Sequence, residues 1–133
     1  MTKILYILRG LPGAGKSFVA DSLSVDGEFP VFSADQFFED ADGNYNFDAL
    51  LLHQAHLNCL SRTFEAMKNN VEKIFVANTF TTEYEITPYK QIAEENGYRF
   101  VSMIIENRHG STNVHGCPEE TIVKMRNRFT FKL

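Results

Sequence analysis

The sequence predicts a three-layer α/β fold, a parallel sheet of about four to five strands flanked by helices, with a small C-terminal lid. Two observations carry this prediction. Short apolar runs alternate with helical patterns along the chain, which is the signature of parallel strands joined by right-handed crossovers. The run Lys3-Ile4-Leu5-Tyr6-Ile7-Leu8 also leads through a glycine-rich stretch into Phe18-Val19-Ala20-Asp21-Ser22-Leu23, so strand, loop and helix stand in the order of a phosphate-binding unit. A chain of 133 residues has room for a single domain over 1-133 with a sizeable core.

Each element follows in turn. Phe29-Pro30-Val31-Phe32-Ser33 reads as a second strand, with Pro30 confined to its start, and it delivers Asp35 just past its end. Asp42-Gly43 between aromatic residues marks a tight turn or a small hairpin. From Phe47 to Asn69 a helical pattern places Leu50, Leu51, Ala55, Leu57, Leu60, Phe64 and Met67 on one apolar face. Lys73-Ile74-Phe75-Val76-Ala77 is a third strand, and the polar group Asn78-Thr79-Phe80-Thr81-Thr82 after it is expected to face a ligand beyond the sheet's carboxyl edge. A helix from Glu85 to Asn96, stopped by Gly97, precedes a fourth strand, Arg99 to Ile105. A polar loop over 107-117 then leads to a last helix that starts near Pro118-Glu119-Glu120, with proline and acids in its first turn.

The chemistry concentrates in Gly10-Leu11-Pro12-Gly13-Ala14-Gly15-Lys16-Ser17, which fits G-x-x-x-x-G-K-[ST]. The glycines let successive N–H groups turn inward onto phosphates at a helix start, while Lys16 reaches the outer two phosphates and the Ser17 hydroxyl takes Mg²⁺. The fold expected is therefore that of a P-loop NTPase, and the cofactors expected are ATP and Mg²⁺. Leu11, Pro12, Gly13, Ala14, Gly15, Lys16, Ser17 and Phe18 form the expected nucleotide cradle. Phosphoryl transfer also needs a group that deprotonates the acceptor hydroxyl and cations that spread the developing charge. Asp35 is the candidate base and, with Ser17, a candidate metal ligand. Its alternative is a helix cap, since Ser33-Ala34-Asp35 precedes a helical turn.

Charge is split along the chain. The net of −4 divides into 7 Lys+Arg against 14 Asp+Glu over 1-98, and 6 against 3 over 99-133. A basic last quarter beside a phosphate loop is where a lid would supply cations. Arg108 is the expected catalytic cation and Arg126 the expected nucleotide contact, with Arg128 as the competing position, because residues two apart do not share a helix face. A solvated helix accounts for the same charges. His109 and His115 with Cys117 lack the spacing of known zinc pairs, and His53 and His56 read as helical groove or core residues. No apolar run approaches the roughly 20 residues of a membrane span. The start enters the first strand directly, leaving no room for a signal peptide, and Cys59 and Cys117, which lack the paired spacing of a zinc site, suit reduced thiols in a cytoplasmic setting.

With these residues in place the chain resembles the small P-loop kinase-like ATPases. Its likeness extends to the kinase half of the bacteriophage polynucleotide 5′-hydroxyl kinases, and especially to the subgroup in the NEDD4-binding protein 2 family. The resemblance rests on Arg9-Gly10 through Ser17, Ser33-Ala34-Asp35, Asp42 to Asp48, Ala55-His56, Asn78-Thr79, Pro88-Tyr89 and His115-Gly116-Cys117-Pro118. It implies that Asp35 activates the acceptor hydroxyl, that Lys16 and Ser17 bind triphosphate and Mg²⁺, and that lid arginines close over the phosphates. Three positions depart from the family pattern. Gln36 stands where a second aspartate is usual, Ala77-Asn78-Thr79-Phe80 stands for a D-N-T-N-like motif without its acid, and Thr112 occupies the place of a lid arginine, with Arg108 the nearest substitute. The partner expected is a nucleoside triphosphate, and the acceptor expected is a nucleic-acid 5′ end or a nucleotide. A nucleoside or small-molecule kinase is the second reading. A nucleotide-binding module with slow or no turnover is the third.

Overall fold

The computed structural model describes residues 2–108 and 116–133. Four strands form one parallel sheet: β1 (Ile4–Arg9), β2 (Val31–Phe32), β3 (Lys73–Asn78) and β4 (Arg99–Ile104), in the order β2-β3-β1-β4. Between them run α1 (Lys16–Leu23), α2 (Leu52–Lys68) and α3 (Glu83–Glu95), and α4 (Glu119–Arg128) closes the described chain. The expected α/β layers and parallel sheet are present, with four strands. Among the described residues no helix is long and apolar enough to cross a membrane.

Alternation along β1 decides the layers. Leu5 and Ile7 point to the face covered by α2 and α3, packing with Cys59, Met67, Ile86 and Ala93. Tyr6 and Leu8 point to the other face, where Ala20 of α1 lies against Phe75 and Ala77, and Tyr6 stacks on Phe75 at 4.7 Å. A central strand apolar on both sides is what a doubly covered parallel sheet requires. Gly97, at φ 75°, ends α3 in the left-handed conformation that glycine adopts without a Cβ penalty.

The long helical pattern needs correction. Residues Ala49–Leu51 form a separate 3-10 turn, and α2 begins at Leu52. Its buried stripe is Ala55, Cys59, Thr63, Ala66 and Met67, whereas Leu50 is 90% exposed and Leu57 and Phe64 are exposed. Small residues let the helix axis sit close to the sheet, so the larger leucines are displaced to its flanks. Leu57 and Leu60 turn instead toward a cleft above the sheet.

The Asp42-Gly43 turn does close a small hairpin, with Glu39 bridged to Tyr45 in antiparallel sense. The Asp40 carboxylate accepts from the N–H groups of Asp42 and Asn44, and hydrogen bonding led by the Asn44 amide holds it below the usual carboxylate range.

Candidate active site

The order β2-β3-β1 places the carboxyl ends of three strands side by side beneath one cleft of about 1850 Å³. The phosphate loop leaves β1, Asp35 follows β2, and Asn78 ends β3 between them.

The loop is built by backbone demands. Gly13 and Gly15 have φ of 85° and 97°, and Gly15 is the N-cap residue of α1. Gly10 is required for another reason, since a Cβ there would meet the Ile105 carbonyl oxygen at 2.7 Å. Pro12 through Phe18 line the cleft, with Ala14 buried and Phe18 78% exposed. The Lys16 ammonium donates to the carbonyls of Gly10 at 2.8 Å and Leu11 at 3.1 Å. Burial pulls its pKa down to about 8, against the opposing pull of the Asp35 charge. Lys16 and Asp35 both line the cleft.

Asp35 is the second residue of a 3-10 turn, Ala34–Phe38, whose N-cap is Ser33. Gln36 returns the cap, its Oε1 accepting from the Ser33 N–H at 3.1 Å, and its side-chain amide donates to the Val31 carbonyl. The capping role weighed for Asp35 thus belongs to Ser33 and Gln36. The Tyr45 hydroxyl donates to Asp35 Oδ1 at 3.0 Å, and burial followed by the Asp35 charge pushes that phenol above its ordinary range. Two longer-range contacts hold the turn. Buried Ala34 N–H donates to Asn78 Oδ1 at 2.8 Å, and Arg62 of α2 donates to Gln36 and to the Ser33 carbonyl.

The expected cations separate in space. Arg128 lines the cleft and donates through Nε to Thr81 Oγ1 at 3.0 Å. Arg126 is exposed and is absent from the described lining. Of the two competing positions, Arg128 lines the cleft and the expected Arg126 does not, because residues two apart do not share a helix face. Arg108 pairs with Glu106 at 2.6 Å with its side chain 84% exposed, outside the described lining. The expected lid over 107–117 falls, for residues 109–115, outside the described residues, as do His109, Thr112 and His115.

Sequence reasoning assigned no role to Arg9, yet it is 2% exposed and ties the site together. Its Nε donates to the Phe80 carbonyl, its other nitrogens reach Glu83 and the Thr130 carbonyl, and it lies 4.8 Å from the Phe129 ring centroid. It thereby clamps the segment after α4 onto the loop that follows β3. Phe80 holds φ 44° and is buried on edge against Tyr89, a sparsely populated conformation held by its surroundings. His53 and His56 prove to be cleft residues, and desolvation lowers the His56 pKa while Glu85 and Asp35 pull it back. Their spacing on one helix face was the available signal.

Ser17 and Asp35 offer one hydroxyl and one carboxylate, and among the described residues no group of three His, Cys, Asp or Glu is gathered for a metal. Hard oxygen donors this few suit a Mg²⁺ held mainly by nucleotide phosphates and water.

Comparison with known proteins agrees with this geometry. The chain is 32% identical over 130 residues to human NEDD4-binding protein 2, matching 92% of its own length and spanning 7% of that protein. Among solved structures, the Pnkp1/Rnl/Hen1 complex superposes with a TM-score of 0.64 at 17% identity, covering 92% of this chain and 38% of that one. A gluconokinase from Sinorhizobium meliloti 1021 gives 0.57 at 12% identity, covering 96% and 75%. These likenesses carry the P-loop kinase fold. Residues 5–130 match the AAA domain family, and with the phosphate loop and parallel sheet in place the chain belongs to that family.

Proposed function

We propose that this domain binds ATP with Mg²⁺ on the 10–17 loop and transfers the γ-phosphoryl group to a hydroxyl, with Asp35 as the proton acceptor. The observation that carries the reading is the placement of Asp35 in the same cleft as Lys16, on a turn held by Asn78 and Arg62. On binding, Lys16 would exchange the Gly10 and Leu11 carbonyls for the outer phosphates, and the Ser17 hydroxyl and Asp35 would hold the metal. The bound metal would neutralise charge on the β- and γ-oxygens. Arg128 takes the neutralising place expected of Arg126, and Arg108 serves only after leaving Glu106.

The acceptor in this reading carries a nucleoside 5′-hydroxyl, as a nucleic-acid end or a nucleotide. That assignment is supported by the likeness to the complex containing Pnkp1 and by the sequence resemblance to the polynucleotide 5′-hydroxyl kinases. A second reading, a nucleoside or small-molecule kinase, is favoured by a cleft whose described cations are only Lys16 and Arg128. Asp35→Asn tests the core of the proposal. The amide keeps an acceptor for the Tyr45 hydroxyl but cannot take a proton, so transfer from labelled ATP should fall by about 10²- to 10⁴-fold. ATP-induced thermal stabilisation should persist. Undiminished transfer by the variant would remove Asp35 from the chemistry.

A further inference from the structure

Past Asp35 the cleft continues between the hairpin, α2 and the start of α3. Tyr45 is fixed there by its bond to Asp35, and Phe47 lies 6.4 Å from it with the rings within 15° of parallel. Phe47 is also braced edge-on by Phe38 at 5.1 Å, yet it stays 53% exposed. Leu52, His53, Leu57, Tyr84 and Pro88 line the same cleft, and the Tyr84 ring is 85% exposed. Flat, solvent-facing rings beside a candidate base are what a planar ligand stacks on.

Charge narrows the ligand. The acids at this end are Asp35, Glu39 and Glu85, whereas the described Lys and Arg side chains of the lining are Lys16 on the phosphate loop and Arg128 on α4, the latter bonded to Thr81, which also bonds Glu85. Residues 109–115, His-Gly-Ser-Thr-Asn-Val-His, contain no Lys or Arg to add. If a triphosphate engages both cations, a phosphate on the acceptor is left facing the carboxylates. Polyanions bind through several Lys/Arg contacts, and the described lining of the whole cleft offers two, Lys16 and Arg128.

We infer that this arm is a subsite for a free, unphosphorylated nucleoside, its base against Phe47, Tyr45 and Tyr84 and its 5′-hydroxyl at Asp35. The inference rests on the phosphoryl-transfer reading and selects its second form, a nucleoside acceptor, over the nucleic-acid end or nucleotide. In the step, the 5′-oxygen gives its proton to the Asp35 carboxylate and forms a bond to the γ-phosphorus. The bond from that phosphorus to the β–γ bridging oxygen breaks, and ADP leaves with a nucleoside 5′-monophosphate as the other product.

The test gives the protein ATP and Mg²⁺ with three acceptor sets: the four ribonucleosides, their 3′-monophosphates, and a 5′-hydroxyl oligonucleotide. The expected result is kcat/KM for at least one nucleoside about tenfold or more above its 3′-monophosphate and above the oligonucleotide. Equal or better use of the phosphorylated acceptors overturns the inference. Tyr84→Ala and Phe47→Ala should each raise the nucleoside KM roughly tenfold with the KM for ATP unchanged, and Phe47→Tyr should restore it; Tyr84 is too exposed for its loss to unfold the chain. Unchanged nucleoside KM in both alanine variants also overturns it. Saturation-transfer NMR with each nucleoside and a non-hydrolysable ATP analogue separates the two ideas. Nucleoside binding that Phe47→Ala weakens, without transfer to any hydroxyl, sinks the catalytic reading and leaves the subsite; transfer to other hydroxyls without nucleoside binding sinks the subsite alone.

Discussion

Lys16 makes nucleotide affinity a function of pH, with a sign that the structure dictates. Burial brings the ammonium down from 10.5 to about 8 even though the Asp35 charge pulls the other way. The free protein is then about 90% protonated at this group at pH 7 and about 10% at pH 9. Phosphates favour the charged form, so ATP binding must restore the proton, and from pH 8 upward the Kd for ATP should rise toward tenfold per pH unit. Folding responds with the opposite sign. The folded-state pKa lies below the unfolded one, so the unfolded chain holds the extra proton between pH 8 and 10.5, and this group's contribution to stability increases as pH climbs through that window. Below pH 8 the buried charge opposes folding at its full extent. Titration of a fluorescent ATP analogue from pH 6.5 to 9 measures the slope, with Lys16→Met as the control that binds weakly and lacks it. Cys117, which borders the same cleft, is pushed above its ordinary range by burial. A flat wild-type curve, or an equal slope in Lys16→Met, would refute the assignment of this lysine to the phosphates.

Three further outcomes are expected. Asn78→Leu leaves the buried Ala34 N–H without its acceptor, which costs about 1–3 kcal/mol and should lower Tm by several degrees while reducing transfer more than ATP binding; Asn78→Asp, which keeps an oxygen there, should lose less in a calorimetric scan. Arg128→Ala should weaken transfer from ATP well beyond Arg126→Ala, and steady-state kinetics giving the reverse order would return the role to Arg126. Gly10→Ala drives a methyl group against the Ile105 carbonyl oxygen at 2.7 Å, so chemical denaturation should show a loss of about 1–3 kcal/mol, and a neutral result would mean that the β4 end yields freely.

What the sequence determined by itself was local. Gly13 and Gly15 announce left-handed backbone, Lys16 and Ser17 announce phosphate chemistry, and Gly97 announces a helix end, because each requirement is met within a few residues. Apolar runs at Ile4–Arg9 and Lys73–Asn78 were equally legible, since strands buried on both faces leave few polar positions. Tertiary structure decided the rest. The buried stripe of α2 consists of Ala55, Cys59, Thr63, Ala66 and Met67, because close approach to the sheet favours small side chains over the leucines that periodicity selects. Arg9 reads as a surface cation in a one-dimensional pattern; its partners Phe80, Glu83 and Thr130 lie 71, 74 and 121 residues away. Asn78 reads only as part of a polar group facing a ligand, until its side chain is seen gripping the Ala34 N–H, 44 residues distant. The choice of Arg128 over Arg126 depended on how α4 is rotated, which the Arg9 clamp on the segment after it helps to set. Backbone geometry is written residue by residue, whereas a side chain's partner depends on which strands the topology makes neighbours, and β1 acquires β3 and β4 as neighbours only once the crossovers are in place.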